Sequence, residues 1–270
     1  SELVRPDALL VRSADVHAIE IPASVLAVAR AGAGTNNIPV AKLSQRGIPV
    51  FNAPGANANA VKELVLAGLF LAARNICQAW DYVRKLEGDD HALEAAMEQG
   101  KKKFVGYELP GRTLGVVGLG AIGVEVANAA LHLGMKVMGY DPQITVQRAW
   151  QLSSGVEQAL SLDDLFARSD VVTVHVPLND QTRGLVNASR ISLMRKGSAV
   201  LNFARGQIVD EAAVLAGLDN GQLSAYVCDF PTNAVRAHAR VVALPHLGAS
   251  TGEAEENCAI MVVETLPEFL

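Results

Sequence analysis

The stretch LGVVGLGAIG, Leu114 to Gly123, decides the fold. Leu114 to Val117 is a short, wholly apolar run of the kind that forms a strand buried on both faces. Gly118, Gly120 and Gly123 follow it at GxGxxG spacing, and the next residues, from Ile122 to Leu133, carry a helical pattern. Glycines so placed let the backbone turn tightly, approach a pyrophosphate and pack helix on strand. The helix start, with Ala121 and Ile122 in its first turn, offers unpaired N–H groups to that phosphate. Asp141 ends the next apolar run, KVMGY, eighteen residues after Gly123. That is close to the spacing of a carboxylate that accepts from a ribose 2′-hydroxyl, which favours NAD over its 2′-phosphorylated relative.

Working outward, VVTVHV, AVLNFA, YVCDF and VVAL alternate with helical patterns. This alternation predicts crossover units and a doubly wound parallel α/β sheet, a Rossmann-type domain. Helix punctuation agrees: Asp210 and Glu211 open a periodic stretch that closes at Asn220 and Gly221, and Ser161, Asp163 and Asp164 cap a short helix through Ala167. Before Leu114 a smaller unit reads as strand ALLVR, helix around Ala23, strand VLAVARAG, helix near Ala41 and strand PVFNA. A helix from Asn57 to Arg84 leaves it, and a last one runs from Glu255 to Leu266. The predicted organisation is a nucleotide-binding domain over 58–248 inserted into a smaller flavodoxin-like α/β domain built from 1–57 and 249–270.

Composition removes other classes. A chain of 270 residues, half of them hydrophobic, is long enough for one large or two modest domains, each with its own core, and a net charge of −5 gives no general pull toward nucleic acid or anionic lipid. The longest apolar run, Leu64 to Ala73, is about half of a bilayer crossing and reads as a buried or interface helix. Cys77, Cys228 and Cys258 are odd in number and lack CxxC spacing, so neither a disulfide framework nor a metal site is expected. With no secretion signal after Ser1, the expected compartment is the cytoplasm.

Chemistry-bearing residues fall at strand ends. Arg205, Asp229 and His246 each lie at or just beyond the carboxyl end of a predicted strand, the edge where open α/β sheets bind ligands. An imidazole titrates in the range needed to take a hydroxyl proton, a guanidinium presents a rigid fork to a carboxylate, and a strand-end carboxylate can accept from a carboxamide. In the small unit the glycine-bearing turn Ala31, Gly32, Ala33, Gly34 follows Arg30 and can offer backbone amides to an anion. Arg12, ending the preceding strand, adds positive charge. Lys101 to Lys103 read as a solvated loop.

In order along the chain, VRS, RAGAGTNN, GLGAIG, GYDP, VTVHVPL, NFARGQIVDE and PHLGAST resemble segments of the D-isomer-specific 2-hydroxyacid dehydrogenases. The resemblance implies two domains with a cleft, a homodimer built on the nucleotide-binding domains, and bound NAD. Gly118, Gly120, Ala121, Ile122, Gly123, Asp141, Val176, Pro177, Thr182, Ala204, Asp229, His246 and Gly248 would contact the cofactor. Arg205 would be the catalytic arginine and His246 the acid/base. Arg12, Arg30, Ala31 to Gly34 and Arg205 would hold a small D-2-hydroxy acid, a phosphorylated three-carbon acid being favoured over glyoxylate or hydroxypyruvate. A non-catalytic nucleotide sensor is the reading from another class. The chain departs from the family at Asn233, where a glutamate paired to the histidine is usual; an amide can orient an imidazole but cannot stabilise its charged form as a carboxylate does. The family's first strand–helix segment is expected upstream of Ser1, and its C-terminal tail beyond Leu270.

Overall fold

The computed structural model describes residues 5–269, so the sequence-expected domain ends at Ser1 and Leu270 lie outside the described residues. The chain divides into two compact units, one made of Ser1–Ala60 and Ala249–Leu270, the other of Val61–Gly248.

The small unit holds a three-stranded parallel sheet in sequence order, β1 (Ala8–Val11), β2 (Ala27–Arg30) and β3 (Val50–Asn52), with α1 (Val40–Gln45) before β3. Val16, Ile21, Val25, Val28, Ile38, Leu43 and Ile48 pack one core of this unit. The helix expected around Ala23 does not form: residues 13–26 are turns and bends. Pro22 cannot donate to a helical ladder, and the segment is fixed instead by Val16 N–H donating to the Asn37 carbonyl (2.9 Å) and Ser24 Oγ to that of Pro6 (2.9 Å). Its apolar residues are therefore buried without being helical.

The helix expected from Asn57 to Arg84 is broken into α2 (Ala58–Arg74) and α3 (Ile76–Arg84). Between them Asn75 takes a left-handed conformation (φ 51°), which asparagine tolerates because its side chain can bond locally; here Nδ2 donates to the Val105 carbonyl at 3.3 Å. Then come α4 (Asp90–Gly100) and a 3-10 turn, Lys101–Phe104, where an exposed loop was expected; its lysines are exposed as expected.

The large unit carries the sheet. Along the chain run β4 (Thr113–Val117), α5 (Ala121–His132), β5 (Lys136–Tyr140), α6 (Val146–Gln151), β6 (Val156–Gln158), α7 (Leu162–Arg168), β7 (Val171–Val174), α8 (Ala188–Leu193), β8 (Ser198–Asn202), α9 (Glu211–Asp219), β9 (Leu223–Cys228), α10 (Asn233–Arg236) and β10 (Val241–Ala243). The seven strands are all parallel in the order β10-β9-β8-β7-β4-β5-β6. Strand order reverses between β4 and β7, the switch point at which a crevice opens beyond the carboxyl ends. Alternate residues feed two cores: Val171, Ala199, Leu201 and Val227 pack on one face with α2 and α5, and Val172, Val200, Tyr226 and Cys228 on the other with α7 and α9. Burial of each such Val, Leu or Tyr contributes about 1.5–3 kcal/mol, which is why these strands are apolar without a break. The chain ends in α11 (Gly252–Phe269), which packs on β2 and β3 of the small unit.

Candidate active site

The glycine loop leaves β4 at the switch point. Gly118 has φ 89°, and a Cβ there would stand 2.7 Å from the His175 carbonyl oxygen and 2.9 Å from a methyl of Val176, so only glycine serves. A Cβ at Gly123 would collide with the Gly118 carbonyl, because α5 starts directly against the turn. At Gly120, the residue capping α5, a Cβ would meet nothing within 4 Å: the backbone is open where a pyrophosphate would approach. Asp141, just past β5, holds the loop from the side, its carboxylate accepting from the Leu119 and Gln143 amides at 2.8 Å each. Thr182 closes the loop after β7 by donating to the Pro177 carbonyl and accepting from the Asn179 amide.

Three neighbouring strands then deliver three side chains to one place. Arg205 lies three residues beyond the end of β8, Phe230 two beyond β9 and His246 three beyond β10, and β9 runs between the other two. The Arg205 guanidinium donates to the Ala204 carbonyl (2.6 Å) and has its Cζ 5.6 Å from the centre of the Phe230 ring. The His246 ring lies against the same phenyl, centroid to centroid 4.4 Å, inclined 45°. Arg205 and His246 are thus brought within one aromatic ring of each other.

Asp229 directly precedes that ring and is only 2% exposed. Burial pushes its carboxyl up to about 6, against the lowering pull of the Gly248 amide and the Arg205 charge. Neither oxygen has a hydrogen-bond partner of good geometry. A buried, unpartnered carboxylate is costly, and a carboxamide donor would satisfy it. Together with the open backbone at Gly120, it makes this unit fit a nicotinamide dinucleotide. Because the raised acid is protonated over a wider range folded than unfolded, cofactor-free stability falls as pH rises from about 4 to about 6. Replacing Asp229 by Asn should therefore raise the melting temperature of the cofactor-free protein above pH 6, on the order of 5 °C, yet weaken NAD+ binding about tenfold. Calorimetric melting and titration check the two opposite signs; a variant that binds NAD+ as tightly as the parent would remove Asp229 from the cofactor site.

Two features escape a reading of residue types. Asn202, fully buried at the end of β8, donates Nδ2 to the Arg205 carbonyl (2.9 Å) and accepts from the Ala204 amide (3.1 Å), bracketing the turn that carries Arg205. Its only sequence signal is an amide closing the apolar run AVLNFA. His175 stands just past β7 with its Nε2 3.0 Å from the Thr173 hydroxyl, and burial pushes it down to about 4. It is neutral at ordinary pH and is unsuited to the proton-transfer role expected of His246. Asn233 opens α10, where its Oδ1 accepts from Arg236 Nε at 2.9 Å.

In the small unit, the anion-loop residues are more engaged than their types suggest. Arg30 turns back on its own loop, donating to the Gly34 and Arg12 carbonyls. The amides of Ala31 and Gly32 are taken by the Val11 and Arg30 carbonyls. Arg12 pairs with Glu255 of α11 at 2.6 Å, which holds that carboxyl below its usual range. Among the described residues no three His, Cys, Asp or Glu side chains gather to hold a metal, and no helix is long and apolar enough to cross a membrane.

A switch-point glycine loop, a ribose-spaced aspartate and a strand-edge Arg–His pair define a nicotinamide-dependent dehydrogenase fold. The chain belongs to the D-isomer-specific 2-hydroxyacid dehydrogenases: the family's NAD-binding domain matches residues 66–248. Its cofactor is accordingly NAD. D-3-phosphoglycerate dehydrogenase of Archaeoglobus fulgidus is 38% identical over 275 residues, covering 98% of this chain and 50% of that protein. Among solved structures, the apo D-mandelate dehydrogenase of Rhodotorula graminis superposes with a TM-score of 0.81 at 28% identity, covering 92% of this chain and 73% of the other. The NAD+-bound 3-phosphoglycerate dehydrogenase of Entamoeba histolytica gives 0.73 at 27% identity, covering 97% and 78%. The chain spans about half the length of the curated relatives it matches.

Proposed function

We propose that this chain oxidises D-3-phosphoglycerate to 3-phosphohydroxypyruvate with NAD+, the first step of serine biosynthesis, in the cytoplasm. The observation that carries the reading is the convergence of Arg205 and His246 on one ring at the carboxyl edge of the sheet, beside buried Asp229. NAD, held by Gly118 to Gly123, Asp141 and Asp229, supplies the hydride acceptor. Arg205 grips the substrate carboxylate and the oxygen on C2 with its planar fork. His246 takes the C2 hydroxyl proton in the forward direction and returns it in reverse. Asn202 and the Ala204 carbonyl fix the fork's angle, so the substrate is oriented before it reacts. Thr182, Val176, Pro177, Ala204 and Gly248 flank the cofactor. Ala31 to Gly34, with Arg12 and Arg30, bind the rest of the acid, and Asn233 stands where the usual carboxylate partner of the histidine is absent.

The phosphorylated substrate is supported by the relatives named D-3-phosphoglycerate dehydrogenase. One observation favours a second reading, a hydroxypyruvate or glyoxylate reductase: Arg12 is already matched by Glu255, leaving less net charge for a distal phosphate. The discriminating experiment is a spectrophotometric assay of the full chain with 3-phosphoglycerate forward, and phosphohydroxypyruvate, hydroxypyruvate and glyoxylate in reverse. The highest kcat/KM should fall on the phosphorylated pair. Turnover only of the unphosphorylated acids establishes the second reading, and none at all leaves a nucleotide-sensing partner-binding protein.

The chain should also act as a homodimer. Phe70 of α2 and Ile76, Trp80 and Val83 of α3 form an apolar face, with Trp80 61% exposed, larger than a lone surface residue warrants. Trp80→Glu should convert dimer to monomer in sedimentation equilibrium; a wild type that is monomeric at micromolar concentration would end this assignment.

A further inference from the structure

We propose that Phe230 is a positioning residue of the dehydrogenase site, a shared platform that sets the Arg205 guanidinium and the His246 imidazole in register. The inference rests on the reading of those two as the catalytic pair. It follows from topology first. In a parallel sheet, residues just past the ends of three adjacent strands are neighbours, and β9 lies between β8 and β10, so the residue two past β9 is flanked by Arg205 and His246. The chain spends that position on a half-buried phenyl rather than on a polar group.

The geometry supports the assignment on both sides. A guanidinium within about 6 Å of a ring centre is attracted to the negative face of the π system, and Arg205 stands at 5.6 Å. An imidazole against a phenyl at 4.4 Å is in the range of favourable aromatic pairs. The backbone adds a third link: a Cβ on Gly206, the residue after Arg205, would stand 3.3 Å from the Phe230 carbonyl oxygen and 3.4 Å from its Cβ, so the arginine loop rests on Phe230 itself. Arg205 has a long, rotamer-rich side chain that is otherwise tied to its neighbour's carbonyl and drawn by the Asp229 charge. One ring that limits both side chains removes more freedom from the pair than two separate contacts would, and an error of about 1 Å in such groups costs about 10²-fold in rate.

The test compares Phe230→Leu, which keeps the apolar bulk but not the π face, with Phe230→Tyr, which keeps both. Phe230→Leu should lower kcat/KM about tenfold while the NADH dissociation constant stays within about twofold, and Phe230→Tyr should restore most of it. In an Arg205→Ala background the same Leu substitution should cost less than about tenfold, because the share of its effect that runs through Arg205 is already removed and only the share through His246 remains. Independently of turnover, the ring current of Phe230 should shift the NMR signals of the His246 ring protons and the Arg205 Nε–H, and both should move toward ordinary values in Phe230→Leu. If both signals stay put, or if the Leu variant loses its full tenfold in the Arg205→Ala background as well, Phe230 is not a shared platform for the pair. A wild type that turns over no hydroxy acid would instead refute the dehydrogenase reading, and the NMR comparison would still decide whether the ring holds the pair.

Discussion

His246→Asn should lower kcat/KM by about 10²- to 10⁴-fold, the usual contribution of a positioned proton acceptor, with NADH binding changed less than about threefold. Asparagine nearly matches the imidazole in size and keeps a donor and an acceptor, so the loop after β10 and the packing on Phe230 need not reorganise. What it cannot do is take up a proton in the working pH range. The two effects separate because the glycine turn, Gly118 to Gly123, lies after β4, which is separated from β10 in the sheet by β9, β8 and β7. A second histidine on the same edge makes the comparison sharp. His175 is held neutral by burial, down to about 4, beside Thr173, so His175→Gln should reduce stability without removing the pH-dependent step. Measured kcat/KM for His246→Asn within threefold of wild type would sink the acid/base assignment.

How much of this was legible from residue order follows the physics of burial. The central strands could be read because both of their faces are covered, so they are continuous apolar runs; β6, Val156–Gln158, was invisible because an edge strand with one half-buried valine carries no such run. The break at Asn75 was hidden because the apolar pattern continues through it, whereas the left-handed residue is held by the distant Val105 carbonyl. Around Ala23 the error ran the other way: Val16, Ile21 and Val25 are buried as a helix stripe would be, but by turns pinned to Asn37 and Pro6. The site divides along the same line. Arg205, Asp229 and His246 announce themselves because charged or titratable groups at strand ends are chemically conspicuous. Phe230 and Asn202 look like core and turn residues in one dimension, and only adjacency of β8, β9 and β10 shows what they hold. Glu255 could not be matched to Arg12 at all without the docking of α11 on the small sheet.

Arg205→Lys should be nearly as damaging as Arg205→Ala, each lowering kcat/KM by about 10²-fold, and this equivalence separates a fork from a charge. If Arg205 only supplied positive charge, lysine would replace it, since the ammonium carries the same unit charge on a stem of similar reach. The surroundings are built for a plane instead. One edge of the guanidinium is spent on the Ala204 carbonyl, its Cζ lies 5.6 Å from the centre of the Phe230 ring, and its backbone is bracketed by Asn202 on both sides of the Ala204–Arg205 peptide. A lysine ammonium satisfied by that carbonyl has no second, parallel donor to offer a carboxylate. Losing one charge-assisted hydrogen bond of about 1.5–3 kcal/mol corresponds to about 10- to 150-fold. The loss should divide between KM, which rises because the substrate carboxylate is held by one donor, and kcat, which falls because the developing charge on the C2 oxygen has no donor in line. Steady-state kinetics of the two variants, with NADH affinity as the control, decide the matter: a lysine variant recovering to within a few-fold of wild type would show that charge alone suffices and that the Ala204, Asn202 and Phe230 contacts hold Arg205 for some other purpose.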